Sequence, residues 1–128
     1  GLVLMTDTDG VITYVNRSFV QVTGYTREEA LGARPSILKS GHQPPEFYAG
    51  LWRTLVAGDS WTGEICNKCK DGSLMWVSAS ISPIRGRDGR ITHFIGVQED
   101  ITERRRLYEQ LAEQERGLPG EQFVQGAA

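Results

Sequence analysis

Leu2-Val3-Leu4-Met5-Thr6-Asp7-Thr8-Asp9-Gly10-Val11-Ile12-Thr13-Tyr14-Val15 is the stretch that decides the fold. Two short runs of apolar and β-branched residues, 2–6 and 11–15, flank Asp9-Gly10, a dipeptide suited to the positive φ of a tight hairpin turn. The same punctuation returns twice along the chain. Asp71-Gly72 separates residues 62–69 from 73–84, and Asp88-Gly89 separates that run from 90–98. Three Asp-Gly turns therefore predict five strands, antiparallel within their hairpins.

Between the first pair of strands and the last three, the pattern changes from period two to period 3.6. Asn16 is placed to cap a short helix that runs through Val22 and stops at Gly24. Thr26-Arg27-Glu28-Glu29 reads as a capping box opening a second helix that ends near Gly32. Pro44-Pro45 precedes a third helix over 46–57, where Phe47, Leu51 and Leu55 recur at helical spacing. Strands flanking a block of helices indicate an α+β fold: a five-stranded antiparallel sheet with helices gathered on one face.

After Asp100 comes a last helix. Asp100-Ile101-Thr102-Glu103 offers a cap, and Ile101, Leu107, Tyr108 and Leu111 make a narrow apolar stripe between Arg104-Arg105-Arg106 and Glu109, Glu113 and Glu115. The stripe approaches coiled-coil spacing over a short length. The chain thus divides into a domain over 1–101, a C-terminal helix over 102–116 and a disordered tail over 117–128.

Composition narrows the function classes. The 128 residues carry 14 Lys and Arg against 16 Asp and Glu, a net charge of -2, without the basic excess of a nucleic-acid binder. No apolar run approaches the about 18 residues that span a bilayer, and Gly1–Met5 lacks the basic flank of an export signal. A cytoplasmic location with no membrane contact is expected, and the start at Gly1 suggests a segment of something longer. Cys66 and Cys69 form the only C-x-x-C. Zinc needs about four ligands, and strand geometry would point the two thiols to opposite faces, so two reduced thiols and no metal site are expected.

Several stretches together resemble the PAS sensor domain: residues 6–19, 23–32, Lys70-Asp71-Gly72 with Trp76, and 94–104 from Phe94-Ile95-Gly96-Val97-Gln98 to Arg104. The resemblance covers residues 2–104. It implies a PAS fold and a signalling module of histidine kinases, cyclic-di-GMP enzymes and related bacterial regulators. In such a module a pocket between sheet and helices senses a ligand and the sheet passes the change to a C-terminal signalling helix. Asp100-Ile101-Thr102 resembles the family's signal-transfer motif, so Gln98, Asp100 and Thr102 are the implied relay. A downstream output domain on the same polypeptide and a homodimer through the sheet or the C-terminal helix are the implied partners.

The light-oxygen-voltage branch of the family carries a flavin-reactive Cys in Gly-Arg-Asn-Cys-Arg-Phe-Leu. Here the stretch is Gly32-Ala33-Arg34-Pro35-Ser36-Ile37-Leu38, so Pro35 occupies the Cys position and covalent photochemistry there is excluded. Asn67 and Gln98 match two flavin-facing amides of that branch, while Val77 replaces a third. An amide both donates and accepts, which suits the alternating groups on the pyrimidine edge of an isoalloxazine ring. Residues 36–41, 48–52, Trp61-Thr62-Gly63 and 67–71 are similar to the FAD-binding, redox-sensing PAS domains of nitrogen-fixation regulators. The resemblance implies FAD, with Asn16, Arg34, Ile37, Trp61, Asn67 and Gln98 as its candidate ligands.

Two other readings compete. A haem-binding PAS domain needs an axial ligand, and the histidines are His42, in a loop, and His93, on a strand. A cofactor-free PAS domain would act as a dimerisation module through its last helix and outer sheet face, on which Trp76 is expected. No enzymatic activity is expected: the chain has neither a nucleophile elbow nor a phosphate-binding G-x-x-x-x-G-K.

Overall fold

The computed structural model describes residues 1–117. Five strands, β1 (Leu2–Asp7), β2 (Ile12–Val15), β3 (Trp61–Lys68), β4 (Leu74–Arg85) and β5 (Ile91–Asp100), form one antiparallel sheet in the order β2-β1-β5-β4-β3. The three Asp-Gly turns join β1 to β2, β3 to β4 and β4 to β5, with φ of 84°, 90° and 83° at Gly10, Gly72 and Gly89. Between β2 and β3 lie α1 (Arg17–Thr23), α2 (Arg27–Ala30), a 3-10 turn (Pro35–Leu38) and α3 (Pro45–Val56); α4 (Thr102–Gly117) follows β5.

Local chemistry sets these boundaries. Asn16 Oδ1 accepts from Phe19 N to open α1, and Gly24 closes it at φ 81°. Thr26 and Glu29 form the reciprocal capping box of α2, which ends at Ala30, before Gly32. Pro35 starts the 3-10 turn, which the apolar spacing did not reveal. Strand β5 runs on to Asp100, which pairs with Val77. α4 takes in Gly117, a residue assigned above to the tail; residues 118–128 of that expected tail lie outside the described residues.

Alternation along the strands sends one set of side chains toward the helices. Leu2, Leu4, Ile65, Met75, Val77, Ala79 and Phe94 pack there with Val15, Phe19, Leu51 and Leu55 of β2, α1 and α3 into one buried cluster. Val3, Met5, Ile95 and Val97 face the other way, joined by the exposed Tyr14. Cys66 and Cys69 are free thiols, both buried. Cys66 sits on the outer face of β3 opposite Trp76. Cys69 has left the strand for the turn and joins the core, its thiol donating to Val22 O at 3.5 Å.

Candidate functional site

Between the inner face of the sheet and α3 lies a cavity of about 370 Å³, inside the about 300–1,000 Å³ of small-molecule sites. Leu4, Thr6, Ile65, Ile81, Phe94 and Gly96 form its sheet wall, and Leu51, Trp52 and Leu55 of α3 its opposite wall. The exposed members of the lining, Thr8, Asp9, Arg34, Ser36 and Lys39, mark the mouth.

Two buried amides stand on the sheet wall. Asn67 and Gln98 are 5% and 6% exposed and line the cavity together. They share one hydrogen bond, Asn67 Nδ2 to Gln98 Oε1 at 3.4 Å. Each amide offers two donors and two lone pairs, so most of their capacity is unused by the protein. Burying polar groups without partners costs free energy, and a ligand presenting donors and acceptors along one edge would satisfy them. Tyr48, also in the lining, adds a buried hydroxyl without a partner, and burial, with Cys66 nearby, pushes its pKa above 10.0.

Of the remaining candidates the cavity gathers only Arg34. Its guanidinium lies at the mouth and donates to Asp9 O, beside the Asp9-Gly10 turn. Asn16 lies elsewhere: its Oδ1 accepts from Val3 N and Phe19 N, both at 3.0 Å, and its Nδ2 donates to Gly1 O, so it caps α1 and ties it to β1. Trp61 is also outside. Gly63 has no side chain, so the indole folds over it, and the ring meets Phe47 edge-on at 5.5 Å. Ile37 packs against the core, its carbonyl accepting from Tyr25 Oη at 3.4 Å. Asn16, Trp61 and Ile37 thus stand outside the cavity lining, while Tyr48 and Lys39, which belong to the matching stretches 48–52 and 36–41 but were not among the candidate ligands, stand in it.

The residues implied as a relay begin at the cavity wall, with Gln98. Gln98 precedes Asp100 on the same strand; Asp100 Oδ1 accepts from Thr102 N at 2.9 Å and so braces the first turn of α4. Thr102 Oγ1 accepts from Trp76 N at 3.0 Å. Neither histidine lines the cavity: His42 stands on the outer face against Trp76, and His93 bonds Thr92. The described residues contain no group of three or more His, Cys, Asp or Glu suited to a metal ion. Among them no helix is long and apolar enough to cross a membrane.

The sequence profile of the PAS domain matches residues 1–103. The chain belongs to the PAS family. Within that family it is 35% identical over 98 residues to the nitrogen fixation regulatory protein of Klebsiella pneumoniae, covering 77% of this chain and 20% of that protein. It is 35% identical over 95 residues to blue-light-activated histidine kinase 1 of Erythrobacter litoralis, covering 74% of this chain and 26% of the kinase. The chain therefore spans only 20% and 26% of the length of these two relatives. A solved light-oxygen-voltage domain, described as one in which a flavin analogue sheds light on mechanism, superposes with a TM-score of 0.74 at 25% identity, covering 89% of this chain and 87% of that one. The PAS fold seen here, with its open antiparallel sheet and C-terminal helix, is that of a sensor domain of signalling proteins.

Proposed function

We propose that this PAS domain binds the isoalloxazine ring of FAD in the cavity and reports the ring's redox state through α4 to an output domain of the same polypeptide. The observation that carries the reading is the buried Asn67 and Gln98 pair, largely unsatisfied, on the wall of an apolar cavity. At about 370 Å³ the cavity takes the ring system, and the rest of the dinucleotide leaves past Arg34 and Lys39, whose cations suit its phosphates. The similarity to a light-oxygen-voltage domain studied with a flavin analogue supports a flavin. Pro35 excludes a cysteinyl adduct at that position, which favours redox sensing over covalent photochemistry.

The redox chemistry would be supplied by the cofactor, whose reduction would turn a hydrogen-bond acceptor on the ring into a donor. Gln98, buried in the cavity lining, would hold that edge of the ring and could rotate its amide to exchange the group it presents. That disturbs its bond to Asn67 and, two residues on, the Asp100 carboxylate that braces Thr102. The output is of the histidine kinase or cyclic-di-GMP type, in a cytoplasmic regulator, and this domain is itself not an enzyme. A second copy packs on the apolar outer face formed by Val3, Met5, Ile95 and Val97, with Leu107 and Leu111 of α4; of these Val97, Leu107 and Leu111 are exposed and the others half-buried in one chain.

Purification and reconstitution with FAD test this. A yellow protein absorbing near about 450 nm, bleached reversibly by dithionite, is expected, with a dimer by light scattering. A chain that stays colourless and shows no heat of binding with FAD overturns the flavin reading. A Gln98→Leu variant that keeps FAD and still changes α4 on reduction overturns the redox relay.

A further inference from the structure

Residues 38–43 join the cavity to the base of α4 by a path that avoids Gln98. Leu38 and Lys39 line the cavity, and Lys39 pairs with Asn67 as an isolated bridge on the open edge of β3. Ser40 Oγ then donates to Cys66 O at 2.6 Å, Cys66 N donates to Gln43 Oε1 at 3.2 Å, and His42 N donates to Ser40 Oγ at 3.2 Å. These bonds satisfy an edge that would otherwise present unpaired backbone, and they wrap the loop from the inner face of the sheet to the outer one.

The wrap sets His42 edge-on against Trp76, with centroids 4.8 Å apart and planes at 78°. The same indole carries the Arg105 guanidinium, 3.7 Å from its centroid. Arg105 in turn donates to Glu64 at 2.8 Å. The backbone of Trp76 holds the start of α4 as well, since its carbonyl accepts from Ile101 N at 2.8 Å and its N–H donates to Thr102 Oγ1. Trp76 is therefore gripped by α4 through ring and backbone, and by the loop through His42.

We infer that residues 38–43 carry cavity occupancy to α4 through His42 and Trp76, separately from the redox relay at Gln98. The inference rests on the cavity's being a ligand site and not on which ligand fills it. An occupant pressing on Leu38 and Lys39 moves a loop whose hydrogen bonds end on the backbone of one rigid strand, so the displacement appears at His42. The contacts there are partly exposed and individually small, so a ligand with modest preference for one arrangement shifts the balance. Coupling of this kind is reciprocal: loosening α4 must loosen the loop.

Reciprocity gives a test on the ligand-free chain. The amides of His42 and Cys66 both donate within the wrap, and neither is bonded to Arg105. Arg105→Ala should speed hydrogen exchange at both about fivefold, the size of one exposed cation–π contact. Arg105→Lys, which keeps the charge for Glu64 and loses the planar stack, should act in the same direction. In a His42→Ala background the Arg105→Ala effect on the Cys66 amide should vanish. Unchanged exchange in Arg105→Ala, or an Arg105 effect that survives His42→Ala, overturns the inference. With FAD as the probe, at a concentration that absorbance shows to saturate each variant, slower exchange in the first turns of α4 is expected in the wild type and in Gln98→Leu but not in His42→Ala; a full response in His42→Ala overturns it. Absorbance scores FAD binding separately, so failure to bind sinks the flavin reading while the ligand-free arm still decides this one.

Discussion

The side-chain amides of Asn67 on β3 and Gln98 on β5 meet at 3.4 Å across the strand between them. The register sets Asn67 opposite Met75 and Gln98 opposite Ala79, which leaves Val77 between those partners on the inner face of β4. A third amide at Val77 would stand between the two and compete for their bond. At 3.4 Å that bond is at the long, weak end for N–H···O, so both groups are held near each other with capacity to spare.

This arrangement predicts opposite signs for binding and stability. Asn67→Leu and Gln98→Leu should each weaken FAD binding about tenfold, or about 1.4 kcal/mol, the worth of one good hydrogen bond. Without FAD the same variants should melt at the same temperature or higher, since an apolar side chain replaces a poorly satisfied buried amide. Absorbance titration and thermal melts of the apo protein check both. A large loss of apo stability would show that the amides serve the fold.

Asn16 gives the contrasting case. Its side chain makes three bonds, to Val3 N, Phe19 N and Gly1 O, all at 3.0 Å. Asn16→Ala removes the α1 cap and leaves the Val3 and Phe19 amides without that acceptor, a loss of about 1–2 kcal/mol of stability. FAD affinity should stay within about twofold of wild type, because no atom of Asn16 reaches the cavity. Urea denaturation and FAD titration on the same variant separate the two effects.

Gly10 joins turn geometry to the mouth of the cavity. Its φ is 84°, and a Cβ there would stand 3.4 Å from Arg34 Nη1 and 3.4 Å from Trp52 Cη2. Gly10→Ala should cost about 1–2 kcal/mol for the left-handed backbone alone. It should also push Arg34 or Trp52 aside and slow FAD entry. Stopped-flow association compared with the urea midpoint is the check, and unchanged values for both would contradict the geometry.

What the residues disclosed by themselves was local. Asp-Gly turns and the Thr26–Glu29 capping box act within a few positions, so their chemistry can be read in order along the chain, and all three turns carry glycines at positive φ. The place of β1 beside β5, and the meeting of Asn67 with Gln98, depend on pairing across 31 positions or more. The PAS resemblance put Asn67 and Gln98 at one ligand, but the strand order and their contact came from the structure alone. Resemblance misled where a neighbour redirects a side chain: Trp61 turns onto Gly63 because a missing Cβ leaves room, and Asn16 turns to the backbone of β1 and α1. The wrap of 38–43 over β3 was hidden because Ser40 and Gln43 act through backbone atoms of Cys66, which no side-chain pattern marks.

Glu29 sets a pH dependence whose direction follows from its partners. Lys70 Nζ donates to its two oxygens at 2.9 and 2.7 Å, and Thr26 N donates to Oε1 at 3.0 Å. The Lys70 bond first, and the Thr26 amide second, hold the carboxyl below its ordinary 4.5. A folded-state pKa below the unfolded one means that the unfolded chain binds the extra proton, so stability rises with pH through this window. The contribution is fully present above about pH 4.5 and is lost as pH falls through the lowered native value. Glu29→Gln removes it and should flatten that part of the acid limb. The melting temperature should drop slightly at neutral pH, where α2 is no longer tied to the turn at Lys70, and converge with wild type in strong acid. Melts from pH 3 to 7 on both proteins measure it, and parallel curves across the range would show that Glu29 contributes nothing to the acid response.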